Sequence, residues 1–291
     1  MKSKFLFKIL DWTSYKYPAL FFNDKKFIIL RWRCQNRDAY DLNLDYPVTF
    51  NEKLNWLKLN DHNPIYNILA DKYEVKKYVS KIIGSEYIVP CYGVYNNFDE
   101  INFDTLPDKF VLKSTHDSSG ALVCTSKAKF DIENAEIHFK HSLSRNWYWP
   151  NREWVYKNIP PRIIADKYLG DGSKKEIRDY KFWCFDGKPK YMYITNKGKE
   201  IHENFYDMQF VPQPINHGFS RMSPEFEKPA AFNKMVELAT KLSQGIPFVR
   251  IDFFYVDGHI YFGEFTFYDW GGMRAFDSYE QDRALGDLIN L

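Results

Sequence analysis

"VRIDFFYVDGHIYFGEFT", residues 249–266, reads as two strands joined at Asp257–Gly258, and it keeps Arg250, Asp252 and Glu264 among aromatic and aliphatic neighbours. Side chains alternate faces along a strand, so Arg250 and Asp252 share one face, and Glu264 and Thr266 share one face of the next strand. Whether these two faces coincide depends on the turn. A two-residue turn pairs Val256 with His259 and sends the carboxylates of Asp252 and Glu264 to opposite sides. A three-residue loop, with Gly258 in the left-handed position, pairs Tyr255 with His259 and sets Arg250 opposite Glu264 with Asp252 diagonal to it. Charges scattered over both faces of so apolar a hairpin would each need a separate partner, and an unpaired buried ion costs several kcal/mol. The three-residue register is therefore expected. It gathers hard carboxylate oxygens that could share Mg2+ with substrate phosphates, or else forms an Arg250–Glu264 ion pair on a solvated face.

The chain around this hairpin has 291 residues, 45% of them hydrophobic and 19% aromatic, enough for one large core or two smaller ones. A net charge of +2 excludes a dedicated nucleic-acid binder, whose surface must offset a dense row of phosphates. Cys34, Cys91, Cys124 and Cys184 are far apart, with neither zinc-clamp spacing nor the density of a disulfide scaffold, so a soluble protein of a reducing cytoplasm is expected. No stretch approaches the roughly 18–20 continuous apolar residues that span a bilayer. The start, "MKSKFLFKILDW", is interrupted by Lys4 and Lys8 and lacks a small-residue cleavage site, so it does not read as a signal peptide. The first forty residues carry a local balance of +6, which leaves the remainder at −4. A helix there would align Phe5, Ile9 and Trp12 beside Leu6 and Leu10, suited either to peripheral contact with an anionic membrane or to docking on its own domain.

Downstream, "TFNEKLNWLKL" carries a capping box, Thr49 with Glu52, ahead of Leu54, Trp56 and Leu57. A second helix is expected over 65–82, closed by Gly84; its Asp71 and Lys72 suit either a nucleotide site or a solvated face. From residue 86 the pattern becomes strand-like: "YIVPCYGVY", "KFVLKS" and "ALVCTS". The last two flank "STHDSSG" (114–120), a loop able to wrap its amides around a phosphate beside Lys113, or an ordinary long turn. A helix is expected over 131–145. Trp147, Tyr148, Trp149 and Trp154 are given no chemistry, because aromatics this dense are more often core. "PRIIADKYLGDG" reads as a buried strand, and "YKFWCFDGKPKYMYI" as a hairpin turning at Asp186–Gly187. Residues 196–229 give no assignment. "AAFNKMVELATKLSQGI" reads as a helix with 232, 235, 236, 239 and 242 inward, stopped by Gly245.

In combination these stretches resemble a known family. "RIDFF" followed by "EFT" is similar to the final hairpin of ATP-grasp enzymes, where an R-x-D strand and an E-x-N strand hold two Mg2+ ions against ATP. "ADKY" with Lys72 resembles the early phosphate-contacting basic residue, "FVLKSTHDSSG" the lysine strand and phosphate loop, and "IIADKYLGDG" the interdomain strand whose backbone meets adenine. More specifically, "FNEKLNWLKL", "LPDKFVLK", "REWVYKNIPPRIIADKYL", "YKFWCFDGKPKY" and "IPFVRIDFF" resemble the TupA-like group of bacterial polysaccharide gene clusters, over roughly residues 45–291. Several motifs occur in order, which makes the resemblance specific. Two departures stand out: Thr266 occupies the usual Asn position, and "STHDSSG" is one residue longer than the His-Gly-Ser-Gly form.

The resemblance implies an α+β ATP-grasp fold, with two α+β subdomains whose antiparallel sheets sandwich ATP, behind a basic, mostly helical N-terminal segment. Its divisions are 1–45 (basic segment), 46–85 (helical part), 86–168 (small subdomain with the phosphate loop) and 169–291 (C-terminal subdomain with the metal hairpin). It implies a carboxylate–amine ligase using ATP and Mg2+ through an acyl phosphate, joining an amino acid or amine to a hexuronic acid of a surface glycan. Asp252, Glu264 and Thr266 then stand at the metals. Arg250 steadies the transferred phosphoryl group, with Lys113 and Arg274 as further catalytic groups. ATP falls to Lys72, Lys113, Ser114, His116, Ser118, Ser119 and Gly120, to Asp166, Lys167, Tyr168 and Leu169 at adenine, to Asp171 at the ribose, and to Lys181. Two other classes remain open: a sugar kinase with the same ATP grip, and a non-catalytic glycan-binding protein on a decayed ligase fold.

Overall fold

The basic N-terminal stretch folds as α1 (Lys2–Lys16) and α2 (Asp24–Gln35), the latter capped by Asn23, whose side chain accepts from Lys26 N at 2.9 Å. The computed structural model describes residues 2–17 (side chains from residue 9), 23–118, 120–170, 177–196, 200–223 and 225–291. α1 packs on α2 through buried Leu10 and Ser14 and an Arg31–Asp11 ion pair at 3.2 Å, while Ile9 and Trp12 remain exposed. Phe5 and Leu6, which the membrane alternative needs, have side chains outside the described residues. Among the described residues no helix is long and apolar enough to cross a membrane. The four cysteines are free thiols.

The capping box forms as the sequence requires, with Thr49 and Glu52 satisfying each other's backbone amides at the start of α3 (Phe50–Asn60). The continuous helix expected over 65–82 is instead two, α4 (Ile65–Ala70) and α5 (Glu74–Ile83). Asp71 causes the break. Its Oδ1 accepts from Tyr73 N at 2.8 Å and Glu74 N at 3.1 Å, offering the backbone an alternative to helical bonds, and Arg162 pins its Oδ2 at 2.7 Å.

Two antiparallel sheets follow. The smaller, in the order β1-β4-β2-β3, comprises β1 (Cys91–Tyr95), β2 (Phe110–Ser114), β3 (Ala121–Cys124) and β4 (Ile163–Lys167). Its apolar face, Phe110, Leu112, Ile163 and Ala165, is closed by Ala135 and Phe139 of α6 (Ile132–Leu143). A short α7 (Tyr148–Asn151) precedes β4. The larger sheet, in the order β10-β9-β5-β6-β7-β8, comprises β5 (Asp179–Phe185), β6 (Lys188–Thr195), β7 (Glu203–Asp207), β8 (Pro212–Gln213), β9 (Phe248–Val256) and β10 (His259–Thr266). The unassigned stretch thus supplies the last two strands at one end of this sheet, β7 and the edge strand β8. α8 (Phe232–Leu242) covers this sheet, and Leu238 is buried where Val236 was expected; Val236 is only partly buried. α9 (Tyr279–Gly286) ends the described elements. Side chains of α3, α4, α5 and α8 share one core with the larger sheet, where Trp183 stacks on Phe50 at 5.0 Å.

The deciding hairpin departs from the expected turn. Asp257 and Gly258 both have positive φ (50° and 78°), a two-residue turn that pairs Val256 with His259, so the three-residue loop does not form. The faces nevertheless coincide, because a β-bulge interrupts β10: Phe262 pairs with Phe253, but Phe265 pairs with Ile251 and Thr266, not Glu264, with Arg250. One extra residue reverses which face every later side chain occupies. Gly263 makes room for the bulge, since a Cβ there would lie 3.1 Å from the Asp252 carbonyl oxygen and 3.3 Å from its Cβ. Gly263→Ala is therefore expected to push the strands apart and to cost on the order of 1–3 kcal/mol. An unchanged urea midpoint would count against this account of the bulge.

Candidate active site

Arg250 organises the hairpin. Its Nε and Nη2 grip Asp252 at 2.7 and 2.8 Å, Nη2 also reaches Glu264 at 2.9 Å, and Nη1 donates to Asp269 at 2.6 Å and Tyr193 Oη at 3.2 Å. A guanidinium has five N–H donors, so all of them are committed. Burial alone would lower the Arg250 pKa, but Asp252, Tyr193 and Asp269 hold it well above its ordinary value. Burial pushes the Asp252 carboxyl up to about 6 against the pull of Arg250 and Lys181. Glu264 goes the other way: Arg250 and Lys72 overcome burial and hold it below its usual range, and Thr266 Oγ1 donates to it at 3.0 Å.

Two cavities meet at these carboxylates. The first, of about 370 Å³, lies between the sheets and is lined by Lys72, Lys76, Lys113 and Lys181 with Asp166, Asp252 and Glu264. Ser118 and Gly120 border it from the β2–β3 loop, and Ile88, Val89, Phe254 and Phe262 add apolar wall. Its lysines are positioned by nearby oxygens. Lys76 and Lys113 lie 3.0 and 3.3 Å from the two oxygens of Asp166, Lys181 lies 3.3 Å from Asp179, and Lys72 donates to the Asp117 carbonyl. The second cavity, of about 330 Å³, shares Ser118, Lys181, Arg250 and Glu264 with the first and adds Thr266, Trp147 and Glu153.

Several expected site residues lie elsewhere. Ser114 faces away from Lys113, as strand alternation requires, and its hydroxyl lies 2.7 Å from Ser142 Oγ beneath α6. His116 is buried against the Ser142 carbonyl, and burial lowers its pKa. Arg274 donates to the His217 carbonyl at 2.6 Å and stacks on Phe219, apart from both cavities. Lys167, Tyr168 and Leu169 follow Asp166 along and beyond β4 but do not line either cavity. Ser119 and Asp171 lie outside the described residues.

The sequence reading missed Lys76, Asp269, Glu153 and Lys58. Lys76 had a signal, standing four residues after Lys72 in "DKYEVKK"; Asp269 is a single charge in an apolar stretch, and Lys58 and Glu153 lie among other polar residues with no pattern that marks them. Lys58 is fully buried and donates to Asn55 Oδ1, to the Asn151 carbonyl and to the Gly271 carbonyl. Burial lowers its pKa to about 7 from 10.5. The unfolded chain then binds more protons here between those values, so stability rises with pH across that window and falls as pH drops from 10.5 toward 7, below which this group adds no further slope. Lys58→Met should remove that slope, read by comparing urea midpoints at pH 7 and 9.

The family described as TupA-like ATPgrasp matches residues 52–290. No curated protein matches the chain. Among solved structures, D-alanine–D-alanine ligase from Bacillus anthracis complexed with ATP is 15% identical over 68% of this chain and 53% of its own, with a TM-score of 0.39. The corresponding ligase from Helicobacter pylori is 14% identical over 77% and 62%, at 0.41. The ATP-grasp ligase PsnB with minimal precursor, Mg and ADP is 9% identical over 81% and 64%, also at 0.41. The chain thus spans between half and two thirds of the length of these structures. With the motifs in order, two antiparallel sheets around a lysine-lined cavity and a family match over most of its length, the chain belongs to the TupA-like ATP-grasp family.

Proposed function

We propose that this ATP-grasp ligase uses ATP and Mg2+ to activate the carboxylate of a hexuronic acid in a bacterial surface polysaccharide, and then joins it to an amino acid or amine. The observation that carries the reading is the pair Asp252 and Glu264, held side by side by one arginine where a lysine-lined cavity opens into a second. Carboxylate oxygens of this kind suit Mg2+, whose shell phosphates complete, and two protein carboxylates suffice when substrate oxygens supply the rest. When bound, Mg2+ offsets the charge that develops on the phosphate oxygens.

The chain's own residues do the positioning. Asp252, Glu264 and the Thr266 hydroxyl face the metal position. Lys72, Lys113 and Lys181, joined by Lys76, hold the phosphates, and Ser118 and Gly120 border the same cavity. Asp166 on β4 borders this cavity, and Lys167 to Leu169, which line neither cavity, are given no contact with the base. Arg250, whose donors are all taken, acts by fixing the two carboxylates rather than by touching the phosphoryl group. The basic N-terminal helices, with Ile9 and Trp12 exposed, suit a lipid-linked or polyanionic acceptor at the inner membrane face.

The test is incubation of the purified protein with ATP, Mg2+ and a panel of uronosyl glycans and amines, read by mass spectrometry. ADP together with an amide is the expected product. A phosphorylated glycan formed without any amine would replace this reading with a kinase.

A further inference from the structure

The second cavity contains a carboxylate that the metal and the nucleotide leave unused. Glu153 is 6% exposed and lines the cavity, and Asn151 Nδ2 donates to its Oε1 at 3.1 Å. Asn151 is itself fixed in orientation: its Oδ1 accepts from Arg31 Nε at 2.6 Å, which turns its amide N–H groups toward Glu153. Gly271 seals this pair, because a Cβ there would meet Asn151 Nδ2 at 2.8 Å and Glu153 Oε1 at 3.3 Å. Lys58 and Arg31 act on the Glu153 carboxylate electrostatically, but among the described residues neither they nor any other cation forms an ion pair with it within 4 Å. A buried carboxylate held by its chain's cations only at longer range still favours a cation that can reach it directly.

The walls fit such a cation. Trp147, Tyr156 and Trp270 line the same space and can offer ring faces to an ammonium group. Tyr156 lies within electrostatic reach of both Glu153 and Glu264. At about 330 Å³ the cavity is at the small end of ligand pockets, sized for an amino-acid-like amine rather than a polymer.

We propose that this cavity is the amine-donor subsite: a primary ammonium group binds to Glu153 and the aromatic faces of Trp147, Tyr156 and Trp270. The inference deepens the ligase reading and rests on it. There, Glu153 takes one proton from the ammonium group and frees the nitrogen lone pair. That pair forms the C–N bond at the acyl carbon as the C–O bond to phosphate breaks, and the departing phosphate takes the second N–H proton. Glu153 then returns its proton to solvent. Burial raises the Glu153 pKa, with Lys58 opposing, which suits a group that must accept a proton.

The test uses L-alaninamide, a cation at pH 7, and lactamide, which replaces its ammonium by a hydroxyl. Both are titrated calorimetrically into the full chain, with and without ADP and Mg2+. Wild type should bind L-alaninamide at least roughly tenfold more tightly than lactamide, and Glu153→Gln should erase that preference while keeping Mg2+–ATP binding. Equal binding of the two probes, no binding of L-alaninamide, or an unchanged preference in Glu153→Gln would overturn the proposal. If Glu153→Gln does not fold, Trp147→Ala decides: weaker L-alaninamide binding supports the subsite and unchanged binding refutes it. The charge preference is read without ATP turnover, so a failed ligase reading, with no Mg2+–ATP binding to wild type, remains distinguishable from a failed subsite.

Discussion

Glu264→Gln is expected to cut ATP-dependent product formation by about a hundredfold to a thousandfold while leaving the fold intact, the scale for losing a group that stabilises developing charge. The separation of the two effects follows from position. The Glu264 side chain is 38% exposed and borders both cavities, and without its charge Arg250 still holds Asp252 and Asp269. Stability therefore depends little on it, whereas the proposed metal position loses one of two carboxylates. Single-turnover rates beside a urea melt check both halves. A variant with wild-type turnover would remove Glu264 from the chemistry, and one that unfolds would make it a structural residue.

Arg250→Met should have the opposite profile in stability, costing about 3–5 kcal/mol, the penalty for stripping the partner from buried charge. Asp252 and Asp269 are 5% and 2% exposed and would face each other and Glu264 with only the more distant Lys181 and Lys72 to offset them. Arg250→Lys should recover only part of the loss, since an ammonium group cannot span the bidentate pair at Asp252 together with Asp269, Tyr193 and Glu264. The deficit has a defined pH dependence. Unpaired carboxylates have folded-state pKa values above their unfolded ones, so the folded variant binds more protons, and the deficit is small in acid and grows as pH rises through those values. Urea midpoints at pH 4.5 and 7.5 for wild type and variant measure it, and a deficit equal at both would contradict the ion-pair account.

Much of the site was legible because its motifs are local. R-x-D on one strand and E-x-T on the next declare a charged face, and Lys72, Lys113 and Lys181 each sit at the edge of a recognisable element. The register was misassigned for a physical reason. The argument for one shared face was sound, but the extra residue could lie in the turn or in the strand, and Gly263 was the signal that it lies in the strand. Ser114 and His116 were grouped with Lys113 by proximity in the chain, although alternation sends Ser114 to the α6 side. Asp269, Tyr193 and Glu153 were not legible at all. Asp269 and Tyr193 stand in largely apolar stretches and Glu153 follows Arg152, and only the packing of the folded chain shows what each faces.

The central claim is that nucleotide phosphates and Mg2+ meet at Asp252 and Glu264. Calorimetric titration of ATP into wild type and Asp252→Asn, each with Mg2+ and with EDTA, tests it most directly. The account predicts ATP binding that requires Mg2+ in wild type and is at least roughly tenfold weaker in Asp252→Asn, the loss expected for one charge-assisted contact. Binding indifferent to Mg2+, or equal in both proteins, would place the nucleotide elsewhere and contradict it.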